Sequence, residues 1–153
     1  ISTNSARFYG DDFEFRIRNL NPMATYLTAS TMWWPTAGLA PPMEFNYFEF
    51  DGNSYYGTNS FSSPVSAPAP SIPLDAGANY WWEADSNRVP ADLEGTFSAS
   101  LTFTFPGWGV CHISDSIFVE AVPTDTPVPP ATDTPLPTDT PAPSPTSTTN
   151  PGD

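Results

Sequence analysis

The chain has 153 residues, with 17 carboxylates set against four Arg, no Lys and a formal charge of −13. That imbalance repels phosphate backbones and anionic lipid, so nucleic acid and charged membrane surfaces are excluded as partners, leaving cations, sugars or other proteins. No stretch approaches the roughly 20 apolar residues that cross a bilayer, so no membrane insertion is expected.

In chain order, Phe13-Glu14-Phe15-Arg16-Ile17-Arg18 alternates with period two. Phe13, Phe15 and Ile17 therefore share one face of an antiparallel strand and the charges share the other. Asn19-Leu20-Asn21-Pro22 ends it as a turn. Thr25 to Trp34 is rich in β-branched and aromatic residues and stops at Pro35, which lacks a backbone donor. Met43 to Phe50 and Ser54 to Tyr56 flank Asp51-Gly52-Asn53, a hairpin signal because Gly and Asn tolerate positive φ. Tyr47-Phe48 breaks the alternation in the first arm and predicts a bulge. Residues 58 to 76, rich in Ser, Pro and Ala, read as a long surface loop. A strand resumes over Asn79 to Ala84. From Thr96 to Phe105 every even position is Ser or Thr and every odd one apolar, which makes one buried face and one hydroxyl ladder. Ile113 to Val122 is the last strand. Six or seven short strands without an amphipathic helix predict an all-β, antiparallel immunoglobulin-like β-sandwich over residues 1–122.

At Pro123 the composition changes. Residues 123–153 hold ten Pro and nine Thr, with Thr-Asp-Thr-Pro recurring at 124, 132 and 138. Such a segment buries too little apolar area to offset its ordering cost and favours extended polyproline II. At about 3.1 Å per residue it would reach roughly 90 to 100 Å. Its readings are a disordered linker, an O-glycosylated stalk, or an arm docked in a groove of a neighbouring sandwich. The glycan acceptors expected there are Thr124, Thr126, Thr132, Thr134, Thr138, Thr140, Ser144 and Thr146, and no Asn-x-Ser/Thr sequon exists anywhere in the chain.

The succession "FRIRNLNP", "WWP", "FEFDGNSYY" and "LTFTFPGWGVC" resembles the small immunoglobulin-like domains in secreted and surface proteins of filamentous bacteria of the Chloroflexota type. Thr-Pro-Thr-Asp-Thr-Pro tails are common in those proteins. The likeness spans Phe13 to Cys111 and implies a sandwich exposed at a bacterial surface. Such domains usually carry a second Cys near the start, and Ser5 to Tyr9 offers none, so Cys111 lacks the partner the resemblance implies.

Catalytic parts are scarce in the sequence. Cys111 and His112 are neighbours on a strand, point to opposite faces and make a poor dyad. One Cys and one His fall short of a zinc site. Asp11, Asp12 and Glu14 cluster before the first strand, and Asp51-Gly52-Asn53-Ser54 resembles half a calcium loop. Ca2+ wants six to eight oxygens, so it is a possible ligand and a solvated acidic rim is the plainer reading. No other cofactor is expected. Trp33-Trp34 and Trp81-Trp82 should each place one indole in the core and one outside. Outward indoles serve subunit contacts or sugar stacking, which makes Trp33, Trp34, Trp81 and Trp82 the contact candidates.

The expectation is a noncatalytic subunit of an extracellular or cell-surface filament. Its partners would be copies of itself in a polymer and covalent glycans. The chain starts at Ile1 and reads as a processed product. The alternative is a carbohydrate-binding or adhesion module on a flexible glycosylated stalk.

Overall fold

The computed structural model describes residues 1–36, 42–89 and 94–120, apart from the side chain of Thr58. Among them are ten strands: β1 (Ser2–Thr3), β2 (Arg7–Tyr9), β3 (Asp12–Arg18), β4 (Thr25–Trp33), β5 (Phe45–Phe50), β6 (Asn53–Ser60), β7 (Val65–Leu74), β8 (Asn79–Ser86), β9 (Gly95–Phe105) and β10 (Gly109–Val119). They form two antiparallel sheets. One runs β1-β3-β8-β5-β6, with β2 also paired to the outer edge of β3; the other runs β10-β9-β4-β7. The all-β class and the antiparallel pairing follow from the alternation in the sequence.

Alternation sets what lies between the sheets. Phe13, Phe15 and Ile17 from β3 meet Phe48, Phe50 and Trp82 of the same sheet and Leu27, Met32, Phe97, Leu101 and Phe103 of the other, all buried. Ring contacts knit this layer: Phe50 lies 6.2 Å from Phe103 across the sandwich, and Phe8 lies edge-on to Phe97 at 4.9 Å. One polar chain bridges the same gap. Trp82 Nε1 donates to the Tyr55 hydroxyl at 2.7 Å, and Tyr55 donates to Ser30 Oγ at 2.7 Å. Burial pushes the Tyr55 phenol up to about 12, so it stays a donor.

The bulge expected near Tyr47-Phe48 is present. The pairing of β5 with both neighbours shifts between Phe45 and Tyr47, and Tyr47 is turned outward while Phe45 and Phe48 are buried. Asp51 and Gly52 both have positive φ, which closes the β5–β6 hairpin tightly.

Two expectations need correcting. Residues 58 to 76 are not a loop: β6 runs on to Ser60 and β7 occupies Val65–Leu74. Proline is tolerated in β7 because it is an edge strand paired only with β4, and the register jumps from Leu27↔Ile72 to Ala29↔Pro68 around Ser71, which has positive φ. The last strand, expected over Ile113 to Val122, starts at Gly109, because the turn after Phe105 feeds straight into it, and ends at Val119; residues 121 and 122 lie outside the described residues. The short β1 and β2, side by side along β3, escape a periodicity test because two or three residues hold no period.

Candidate functional site

The tryptophan pairs split as the alternation requires. Trp34 and Trp82 are core residues, 4% and 0% exposed, and so have no surface to offer a partner. Trp33 and Trp81 face outward. Trp81 stands opposite Arg16 on β3, and the guanidiniums of Arg7 and Arg16 each lie 4.8 Å from its ring centroid. Arg7 also pairs with Glu14 at 2.6 Å. Trp81 is therefore engaged within its own sheet, and of the four contact candidates Trp33 has the most open indole.

The outer face of the first sheet is acidic. Glu14 stands opposite Glu83, which stands opposite Glu49; Asp12 stands opposite Asp85. Like charges directly across a strand pair repel. Burial, then Asp85, Asp11, Glu14 and Glu49, raise Asp12 to about 6; burial, then Glu14, Asp12 and Glu49, raise Glu83. Carboxylate oxygens of Asp11, Asp12 and Asp85 lie within 4.8 Å of one another. Three oxygens are half of what calcium needs, and the other expected fragment, Asp51-Gly52-Asn53, is spent on the hairpin tip, where Asn53 Nδ2 donates to Asp51 O. Of these paired carboxylates Glu14 is buried and Asp12, Glu49, Glu83 and Asp85 are half-buried.

The second sheet is the opposite in character. Its four strands carry one ionisable carboxylate, Asp115, and one histidine, His112. The hydroxyl ladder predicted for β9 is there, and it divides in two. At one end Thr28 Oγ1 donates to Thr102 O at 3.1 Å and lies 3.4 Å from Thr104 Oγ1, and Thr102 Oγ1 lies 3.1 Å from His112 Nδ1. At the other end Ser98 and Ser100 face Ser116 and Ser114, beside Trp33, around a shallow depression of about 440 Å³. Cys111 pairs with Phe103 on the inner side and His112 points out, so the two side chains diverge.

The most exposed aromatic was not among the sequence candidates. Trp108 sits in Pro106-Gly107-Trp108-Gly109, a turn closed by Trp108 N–H to Phe105 O at 3.0 Å, with Gly107 and Gly109 at positive φ. A tip that tight has no inward side, and the indole is 80% exposed. It faces a second loop held rigid by Asn19. The buried Asn19 Nδ2 donates to the carbonyls of Met23, Leu74 and Asp75, and its Oδ1 accepts from Asn21 N. Together Pro22, Met23, Phe105 and Trp108 line an apolar depression of about 320 Å³, with Leu20 exposed nearby in sequence. The sequence signal was the Pro-Gly-Trp-Gly string itself, since Trp at a glycine turn cannot follow the in–out rule of a strand.

The strand that leaves this pole is β10, which rises for ten steps to Val119, about 33 Å at 3.3 Å per residue. The described chain thus ends, at Glu120, at the pole opposite Trp108. Residues 123–153, with every glycan acceptor named above, lie outside the described residues. Comparisons with protein-family models, curated proteins and solved structures found no match.

Proposed function

We propose that this chain is a noncatalytic structural subunit of an extracellular filament or cell-surface fibre, an immunoglobulin-like sandwich assembled head to tail. The Pro/Thr-rich arm of one copy seats against the Trp108 pole of the next. What carries this reading is polarity: an exposed apolar pole at one end and the exit towards the arm at the other. A contact between two different ends of one molecule does not close on itself, and so extends into a filament. The chemistry of the two parts matches. Aromatic-lined grooves bind polyproline II because its ordering cost is already met, and Trp108 beside Pro22 and Met23 offers such a surface. The acidic outer face keeps fibres dispersed, O-linked sugars on the arm keep it extended, and the resemblance to surface proteins of Chloroflexota-type bacteria agrees with that setting.

Negative-stain images of the full chain test it. Long polymers are expected, with Trp108→Ala reducing them to short or single particles while circular dichroism is unchanged. Single particles from the unaltered chain, or undiminished polymers from the variant, sink the proposal. An intact mass of 16.6 kDa for the native chain would remove the glycans from it.

A second reading, a carbohydrate-binding module, draws on Trp33 and the open hydroxyls of Ser98, Ser100 and Ser114. An indole edged by hydroxyls suits a neutral sugar ring. It requires Trp33→Ala to abolish glycan retention, with Trp108→Ala having no effect on it.

A further inference from the structure

We infer that β10 is a docking edge for a second copy of this chain, pairing antiparallel with itself about Ser114 so that two four-stranded sheets join into one of eight. This goes beyond the filament reading, because a contact of this kind is two-fold and closes at a pair.

The first observation is that β10 is a long, regular edge whose one charged residue, Asp115, lies on its inward-facing side. It has 11 residues and pairs with β9 one-to-one from Gly109 to Val119 without a bulge. Among the described residues no backbone hydrogen bond reaches its other side. Soluble proteins blunt such edges with proline, lysine, bulges, interruptions or inward-pointing charges. The other edges of this sandwich carry those devices. β7 contains Pro68, Pro70 and Pro73, β6 pairs with β5 through two register shifts, and the β1–β2 edge is broken in two. In β10 there is no proline, lysine or arginine, and Asp115 is its only carboxylate.

The second observation is its symmetry. Val110 and Phe118 are 59% and 57% exposed, both on the outer face, opposite Thr104 and Thr96. They stand four residues either side of Ser114. A two-fold axis at Ser114 therefore sets Val110 against Phe118 of the second copy, twice over, with His112 against Ser116 and Ser114 against itself. Two apolar side chains that a lone chain leaves in water become cross-strand pairs. On the inner side Cys111 meets Ile117 and Ile113 meets Asp115.

The third observation is charge. Two chains of −13 repel, but the outer face of this sheet carries no carboxylate or guanidinium among the described residues, while the acidic rows lie on the other sheet. In this register the charges that do meet are the two Asp115 carboxylates, set diagonally on the inner side.

Sedimentation velocity of the full chain carrying Trp108→Ala, which removes the end-to-end contact, tests this in reducing buffer. Dimers are expected at tens of micromolar. Ser114→Glu places two carboxylates face to face on the axis and should weaken the dimer at least tenfold. Val110→Lys and Phe118→Glu should each weaken it, and the double variant should restore it, since each new Lys meets the new Glu of the other copy. All three sites are exposed, and far-ultraviolet circular dichroism confirms that each variant is folded. A monomer at every concentration, a double variant no better than the singles, or a dimer lost on adding reductant would overturn the inference. Reductant matters because this register holds the two Cys111 residues about 20 Å apart, six strand positions at 3.3 Å each. Dimers surviving alongside failed polymers, or polymers surviving Ser114→Glu, show which of the two contacts stands.

Discussion

Five tryptophans have three different tasks here, and the difference lies in what each side chain meets. Trp82 is wholly buried, and its indole N–H donates to the Tyr55 hydroxyl, which in turn donates its own O–H to Ser30. Tyr55→Phe removes the acceptor and leaves a buried donor unsatisfied, which costs about 1–3 kcal/mol. Urea denaturation followed by circular dichroism should show that loss, and an unchanged midpoint would mean that water replaces the hydroxyl. Trp81 is outside but stacked against two arginines, whereas Trp108 touches little of its own chain. The in–out split of each Trp-Trp pair was legible because a strand has period two. Trp108 was not, because a turn residue has no partner position from which its direction can be read.

At the level of elements, what could be read depended on where each strand sits in its sheet. The β9 ladder was plain because one face is pressed on the core and the other is solvated, so pattern and position coincide. β7 was hidden because an edge strand with a single neighbour tolerates prolines that a central strand could not. The acidic rows were invisible for another reason: Asp12 opposite Asp85 and Glu14 opposite Glu83 are pairings of distant segments, and no local pattern announces them. They carry a pH dependence. Asp12 is raised to about 6 in the folded protein from an ordinary value of 3.8, so folding tightens its hold on a proton. Its contribution is most favourable below 3.8, declines as pH rises through about 6, and is least favourable at neutral pH. Asp12→Asn should therefore raise the melting temperature by a few degrees at pH 7.5, about 1 kcal/mol after allowing for its partial exposure, and leave it unchanged near pH 3.5. An equal shift at both pH values would assign the gain to something other than charge.

For the whole molecule, the distribution of features matters more than any one of them. Charge is collected on one sheet's outer face, hydroxyls on the other's, apolar surface at one pole, and the last described residue, Glu120, lies at the opposite pole. In the assembly proposed above, these surfaces would serve extension, lateral pairing and repulsion between fibres. The composition break at Pro123 and the all-β class could be read directly from the sequence. The polarity could not, because it depends on which turn the last hairpin places at which end. The central claim is that the Trp108 pole receives another copy's arm, and the indole N–H resonance of Trp108 in the isotope-labelled full chain reports on it directly. On raising the concentration through the assembly range, that signal and the Met23 methyl signal should shift and broaden before those of Trp33 and Trp81. Signals from Trp108 and Met23 that ignore concentration while the chain assembles would contradict it.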